Sequence, residues 1–242
     1  VIHSHPKPER SCSNKLTSIE KERDDRMPPD YPVTFEWRNK PTDRFILKWI
    51  KLNLSARITP RLVYIGWLRP WMITLCSALL GILAGMIFAI GFGFCGGLIA
   101  ALSQVLDGVD GQLARYTGRQ SPAGAFLDSV LDRYSDGAVV IGLIIYSLPI
   151  VSLWVLLPVG FLALIGSSQV SYTSARAEAL GLAHGAPTLA SKGTRTTVSA
   201  LSGLLSPLWH PFPLVGLCYL AVHANLVVLH RIRLAYRSGS AQ

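Results

Sequence analysis

From Pro70 onward the chain is a succession of apolar runs broken by short joints carrying glycine, proline or arginine. A helix needs about 20 predominantly apolar residues to cross a hydrocarbon core. On that measure six spans are predicted, over 70–91, 93–115, 122–148, 150–180, 192–208 and 212–237. The fifth is the most polar, through Thr194, Thr196, Thr197, Ser199 and Ser202; hydroxyls in a span suit close helix packing. Ahead of the spans, Phe45, Ile46, Trp49, Ile50, Leu52 and Leu54 recur at near-helical spacing, interleaved with Arg44, Lys48, Lys51 and Arg57. This pattern predicts an amphipathic helix over 40–66 lying in the membrane interface, with a surface helix packed on protein as the alternative. Residues 1–39 have no apolar period and read as a polar tail or linker. The expected fold is all-α: an interfacial helix followed by a six-helix transmembrane domain over 67–242.

Charge sharpens this picture. Only 15% of the 242 residues are charged, against roughly 25% in soluble domains. Residues 1–69 hold 14 Lys or Arg and 8 Asp or Glu, which leaves nine basic and six acidic residues for the rest. The joints near Gly91, Leu148 and Trp209 carry no Lys or Arg. The opposite helix ends carry Arg115, Arg119, Arg176, Lys192, Arg195, Arg231, Arg233 and Arg237. By the positive-inside rule both termini are expected on the cytoplasmic side. Trp67, Trp71, Trp154 and Trp209 fall near span ends, where indoles anchor at the interface. Cys12, Cys76, Cys95 and Cys218 form no CxxC pair and read as small hydrophobic core residues, not as disulfides or zinc ligands.

The six acids beyond residue 70 are Asp107, Asp110, Asp128, Asp132, Asp136 and Glu178. A carboxylate at mid-membrane costs on the order of 3 kcal/mol, and neighbouring carboxylates repel. Asp107 and Asp110 are three apart and Asp128 and Asp132 four apart, so each pair shares a helix face. Two adjacent antiparallel helices would join these faces into an all-oxygen site, which suits Mg²⁺ or Mn²⁺ rather than zinc or copper. Gly108, Gly111 and Gly124 allow close approach of a ligand or a backbone, and Arg115, one turn beyond Gly111, suits a phosphate. Acids lining a pore or a proton path, as in a transporter with an acidic cation site, are the competing reading. That reading leaves the glycines and the arginine without a role.

The run from Asp107 to Asp132 reads DxxDGxxAR-x8-GxxxDxxxD, with Asp107, Asp110, Gly111, Ala114, Arg115, Gly124, Asp128 and Asp132 at its fixed positions. It resembles the signature of the CDP-alcohol phosphotransferases. The resemblance implies a six-helix membrane enzyme, a homodimer, that moves a substituted phosphate from a CDP-alcohol to a hydroxyl acceptor and releases CMP. It implies two divalent ions held by Asp107, Asp110 and Asp128, with Asp132 at the second metal or acting as catalytic base. It further implies CDP contacts at Gly111, Ala114, Arg115 and Gly124, and at Pro70 and Thr74 in an element resembling P-N-x-x-T, where Trp71 replaces the Asn. A nucleic-acid partner is not expected.

The acceptor side rests on a second set. Arg176, Lys192, Arg195 and Arg231 at cytoplasmic helix ends suit an acceptor that is itself phosphorylated. The stretch Ser168-Gln169-Val170-Ser171-Tyr172-Thr173-Ser174-Ala175-Arg176-Ala177-Glu178 resembles the SQVxSYxxARAE of phosphatidylinositol-phosphate synthases, with Ser174 where a Lys is common. Lys40-Pro41-Thr42-Asp43 resembles instead the entry to archaeal enzymes that make di-inositol phosphates from CDP-inositol, which carry a cytidylyltransferase domain upstream. The expected donor is CDP-diacylglycerol in phospholipid synthesis, with a water-soluble CDP-alcohol such as CDP-inositol as the alternative and inositol phosphate as the leading acceptor.

Overall fold

The computed structural model describes residues 49–182 and 192–239. The tail at 1–39, the Lys40–Asp43 element, the first part of the amphipathic segment and Cys12 lie outside the described residues. Among the described residues there are seven α-helices and no strand. A wide π-helical turn, Lys51–Ser55, leads into α1 (Ala56–Val63). Then follow α2 (Pro70–Ala89), α3 (Gly93–Tyr116), α4 (Pro122–Ser147), α5 (Leu153–Ala179), α6 (Lys192–Leu204) and α7 (Phe212–Gly239).

The helix starts follow from local chemistry. Pro70 and Pro122 each occupy the first turn of their helix, where the missing N–H costs nothing and φ is already set. Ser121 caps α4: its Oγ accepts the Gly124 N–H at 3.0 Å, a contact of the kind worth about 1 kcal/mol. Gly118 and Gly181 follow the ends of α3 and α5 at φ +64° and +65°, the left-handed conformation that ends a helix cheaply only in glycine.

α2 packs against both α3 and α4; α6 packs on α3, and α7 on α5. The α2–α4 crossing is close because neither helix has a side chain there. A Cβ on Gly142 would run into the Gly85 carbonyl, and one on Gly85 into the Ala138 backbone. Phe88, Leu143, Leu156, Leu217 and Leu220 fill the core. α1 is fastened to α3 by two buried hydroxyls. Ser55 Oγ donates to Val105 O at 2.8 Å, and Thr59 Oγ1 pairs with Gln112 Oε1 at 2.8 Å. Ile58 and Leu62 cover Val109 and Leu113 beside them. The described part of the amphipathic segment thus packs on protein with one face, and it exposes Trp49, Leu54, Tyr64 and Trp67 on others.

Six helices occupy the six expected segments, but three are long and apolar enough to cross a membrane: Pro70–Ala89, Leu153–Ala179 and Phe212–Arg237. α3 and α4 are long enough and carry the carboxylates that lower their apolarity. α6 has 13 residues, about 20 Å of helix, against a hydrocarbon core of about 30 Å. Cys76, Cys95 and Cys218 are free thiols on exposed faces, not the core residues expected. The outer faces of these helices are as apolar as the inner ones, with Leu75, Leu79, Leu83 and Met86 of α2 all exposed, so an apolar neighbourhood in sequence does not mark burial.

Candidate active site

The aspartates project from α3 and α4 into the interval between them. Asp107, Asp110 and Asp128 each offer a carboxylate oxygen, and the three lie within 4.8 Å of one another. Asp110 is buried, and its Oδ1 accepts the N–H of Gly111 in a short contact. Its Oδ2 is buried with no hydrogen-bond partner. A buried carboxylate oxygen left without a donor is costly, and a hard cation shared with Asp107 and Asp128 supplies what it lacks. The residues therefore fit a divalent ion of the Mg²⁺ or Mn²⁺ type.

Asp132, one turn on from Asp128, stands apart from this trio. Its Oδ1 accepts from Lys192 Nζ, which also reaches Asp107 Oδ1 at 2.5 Å. Lys192, the first residue of α6, thus lies inside the carboxylate set rather than in a separate basic patch. Asp136, one turn further along α4, pairs with Arg195 Nη2 at 2.9 Å and with Arg133 Nη1 at 3.8 Å. Arg133 in turn donates to Ser171 Oγ at 2.6 Å, linking α4 to α5. Asp107, Asp132, Asp136, Lys192 and Arg195 all border a narrow cavity of about 30 Å³, lined on its other sides by Ser77, Ser103, Ser135, Ser167 and Ser199.

On the other side of the trio lies a larger cavity, about 390 Å³. Pro70, Thr74, Gly111, Ala114, Arg115 and Gly124 all line it, together with Asp110 and Asp128. A Cβ added to Gly111 would meet no protein atom nearer than Arg115 Nη1 at 3.4 Å. Packing within the chain therefore leaves room for a side chain there, and the bare Cα faces open cavity. Trp71, Arg119, Gln120 and Ser121 also line this space; of these, only Trp71 sits at a position with a motif to draw attention to it.

Of the four basic residues expected at the acceptor site, Lys192 and Arg195 border the narrow cavity. Arg195 and Arg231 are buried, close enough for the two guanidiniums to repel. Arg231 Nη1 donates to the Val170 carbonyl in a short contact, and lies 3.3 Å from Thr173 Oγ1. Lys192 is held by the aspartates, and Arg176 is exposed near the end of α5.

The sequence profile of the CDP-alcohol phosphatidyltransferases matches residues 67–231. This chain belongs to that family. Archaetidylinositol phosphate synthase of Pyrococcus horikoshii is 36% identical over 150 residues, covering 62% of this chain and 76% of the relative. The bifunctional IPC transferase and DIPP synthase of Thermococcus kodakarensis is 35% identical over 134 residues, 55% of this chain but only 30% of that longer protein. Among solved structures, the phosphatidylinositol phosphate synthase of Mycobacterium tuberculosis with CDP-DAG bound superposes with a TM-score of 0.68. It is 27% identical, and the match covers 76% of this chain and 94% of that one. The same protein in complex with manganese and citrate matches equally, covering 90% of that chain.

Proposed function

We infer that this protein transfers the phosphatidyl group of CDP-diacylglycerol to a phosphorylated inositol, with a divalent metal as cofactor and CMP as the leaving group. The observation that carries the reading is the carboxylate trio bordering a cavity with an arginine, Arg115, and a bare glycine, Gly111, in its wall. The relatives named for inositol phosphate products, and the one solved with CDP-DAG bound, support the choice of donor and acceptor.

In this reading Asp107, Asp110 and Asp128 would hold the metal, which when bound would supply positive charge to offset that of the diphosphate. Gly111, Ala114 and Gly124 let the nucleotide approach the two helices, and Pro70 and Thr74 close the far wall. Arg115 pairs with a phosphate oxygen through its planar fork. Asp132 takes the proton from the acceptor hydroxyl, reached from the narrow cavity that it shares with Asp107. Arg195 and Arg231 bind the acceptor's own phosphate. Arg176 and Lys192 belong to that set by sequence; Arg176 is exposed, and Lys192 contacts Asp107 and Asp132 of the metal side.

The same reading has six membrane spans, an interfacial entry helix, and assembly as a homodimer. The alternation of basic and neutral helix ends supports placing the active site and both termini at the cytoplasmic face. The kinship to the longer bifunctional protein favours one second reading, a water-soluble CDP-alcohol as donor. A purified sample supplied with Mn²⁺ and a matrix of CDP-diacylglycerol or CDP-inositol against inositol or inositol phosphate separates the two. The product mass is expected to be that of phosphatidylinositol phosphate. Product from CDP-inositol alone would replace the lipid donor, and no CMP from any pair would remove the reading.

A further inference from the structure

Lys192 is shared between two helices' worth of acid. Its Nζ contacts Asp107 of α3 and Asp132 of α4, and its side chain is 26% exposed against 15% and 14% for the two aspartates. Asp107 is also one of the three carboxylates whose oxygens converge within 4.8 Å. The ammonium and a metal ion therefore draw on the same side chain. Formal charge makes the competition unequal. Asp136 is matched by Arg195 and Arg133, whereas Lys192 bridges Asp107 and Asp132. A dication seated among Asp107, Asp110 and Asp128 carries twice the charge of the ammonium that holds Asp107.

We propose that Lys192 is a tethered counter-ion that holds Asp107 and Asp132 together before metal binds and is pushed back as metal fills the site, so that it sets the metal concentration the enzyme needs. It is a positioning residue: it acts on the carboxylates and not on the reacting phosphate. The inference rests on the metal site of the functional reading, and it assigns Lys192 a partner other than the acceptor. An ammonium on a four-carbon stem suits this use. It is a compact charge that can be drawn aside without breaking the helix that carries it.

The test is direct Mn²⁺ binding to the full chain in detergent, without substrate, read from the electron paramagnetic resonance signal of free Mn²⁺. Lys192→Met, of similar length and without charge, is expected to bind Mn²⁺ at least about tenfold more tightly than the parent chain, while Lys192→Arg stays within about threefold. Unchanged or weaker binding by Lys192→Met overturns the proposal and leaves the metal site standing. No Mn²⁺ binding by the parent chain, or parent-like binding by Asp110→Asn, overturns the metal site and this proposal with it. A measurement on the parent chain guards against a variant that fails to fold. Labelling of Lys192 by an amine-reactive reagent, followed by mass spectrometry, should rise several-fold on adding Mn²⁺. No rise overturns the proposal independently.

Discussion

Gly111→Ala separates what the donor cavity requires from what the fold requires. The new methyl would meet no protein atom closer than 3.4 Å, so the ligand-free fold accepts it without strain. Within α3, alanine is favoured over glycine by about 1 kcal/mol, and the variant should unfold at an equal or higher temperature than the parent. The methyl points into the cavity that Arg115, Asp110 and Asp128 also line. A methylene forced into a filled space costs about 1–3 kcal/mol, which is roughly a 5- to 150-fold loss of nucleotide affinity. Stability and affinity are thus expected to move in opposite directions. The assay pairs thermal unfolding in detergent with calorimetric titration of CMP in Mn²⁺. Gly85→Ala is the control, because its Cβ strikes the Ala138 backbone and should lower stability. Parent-like CMP affinity in Gly111→Ala would refute the assignment of this cavity to the nucleotide.

Four further outcomes are expected. Asp132→Asn should lose transfer by about 100-fold or more while CMP affinity stays within about threefold; full turnover in that variant removes Asp132 as the base. Arg195→Met removes the 2.9 Å partner of Asp136 and leaves it the more distant Arg133, and should cost about 1–3 kcal/mol of stability; thermal unfolding checks this, and an unchanged unfolding temperature contradicts it. Trp71→Ala removes an aromatic wall of the donor cavity and should raise the KM for the donor about fivefold or more, as lost stacking of a base would; an unchanged KM leaves Trp71 as an interfacial anchor. Chelation should stop CMP release and added Mn²⁺ restore it, with unchanged turnover in chelator as the contrary result.

The helices were legible because a span leaves a long apolar run and because Pro70, Pro122, Gly118 and Gly181 punctuate it. The aspartates were legible because spacings of three and four place side chains on one face whatever the tertiary fold. What joins helices to one another was not. α2 is apolar on all sides, so nothing in its pattern tells that Ala84 and Phe88 face inward while Leu79 and Leu83 face out. The same lack of an amphipathic stripe put Cys76, Cys95 and Cys218 in the core by expectation and on exposed faces in the structure. Lys192 is 85 residues from Asp107, and as a basic residue at a helix end its sequence position suggests an acceptor contact or a positive-inside charge, not a partner for the aspartates. The pairing of Asp136 with Arg195 and Arg133 was hidden in the same way, as was the packing of Thr59 on Gln112. Each joins residues on different helices or falls outside the spaced motif.

The central claim is that Asp107, Asp110 and Asp128 hold the metal and that the cavity beside them holds the nucleotide. Anomalous diffraction from a crystal grown with Mn²⁺ and CMP tests both at once. The account expects a manganese peak among the three carboxylates and the nucleotide against Gly111 and Arg115. A peak elsewhere, or CMP bound away from that cavity, would contradict it.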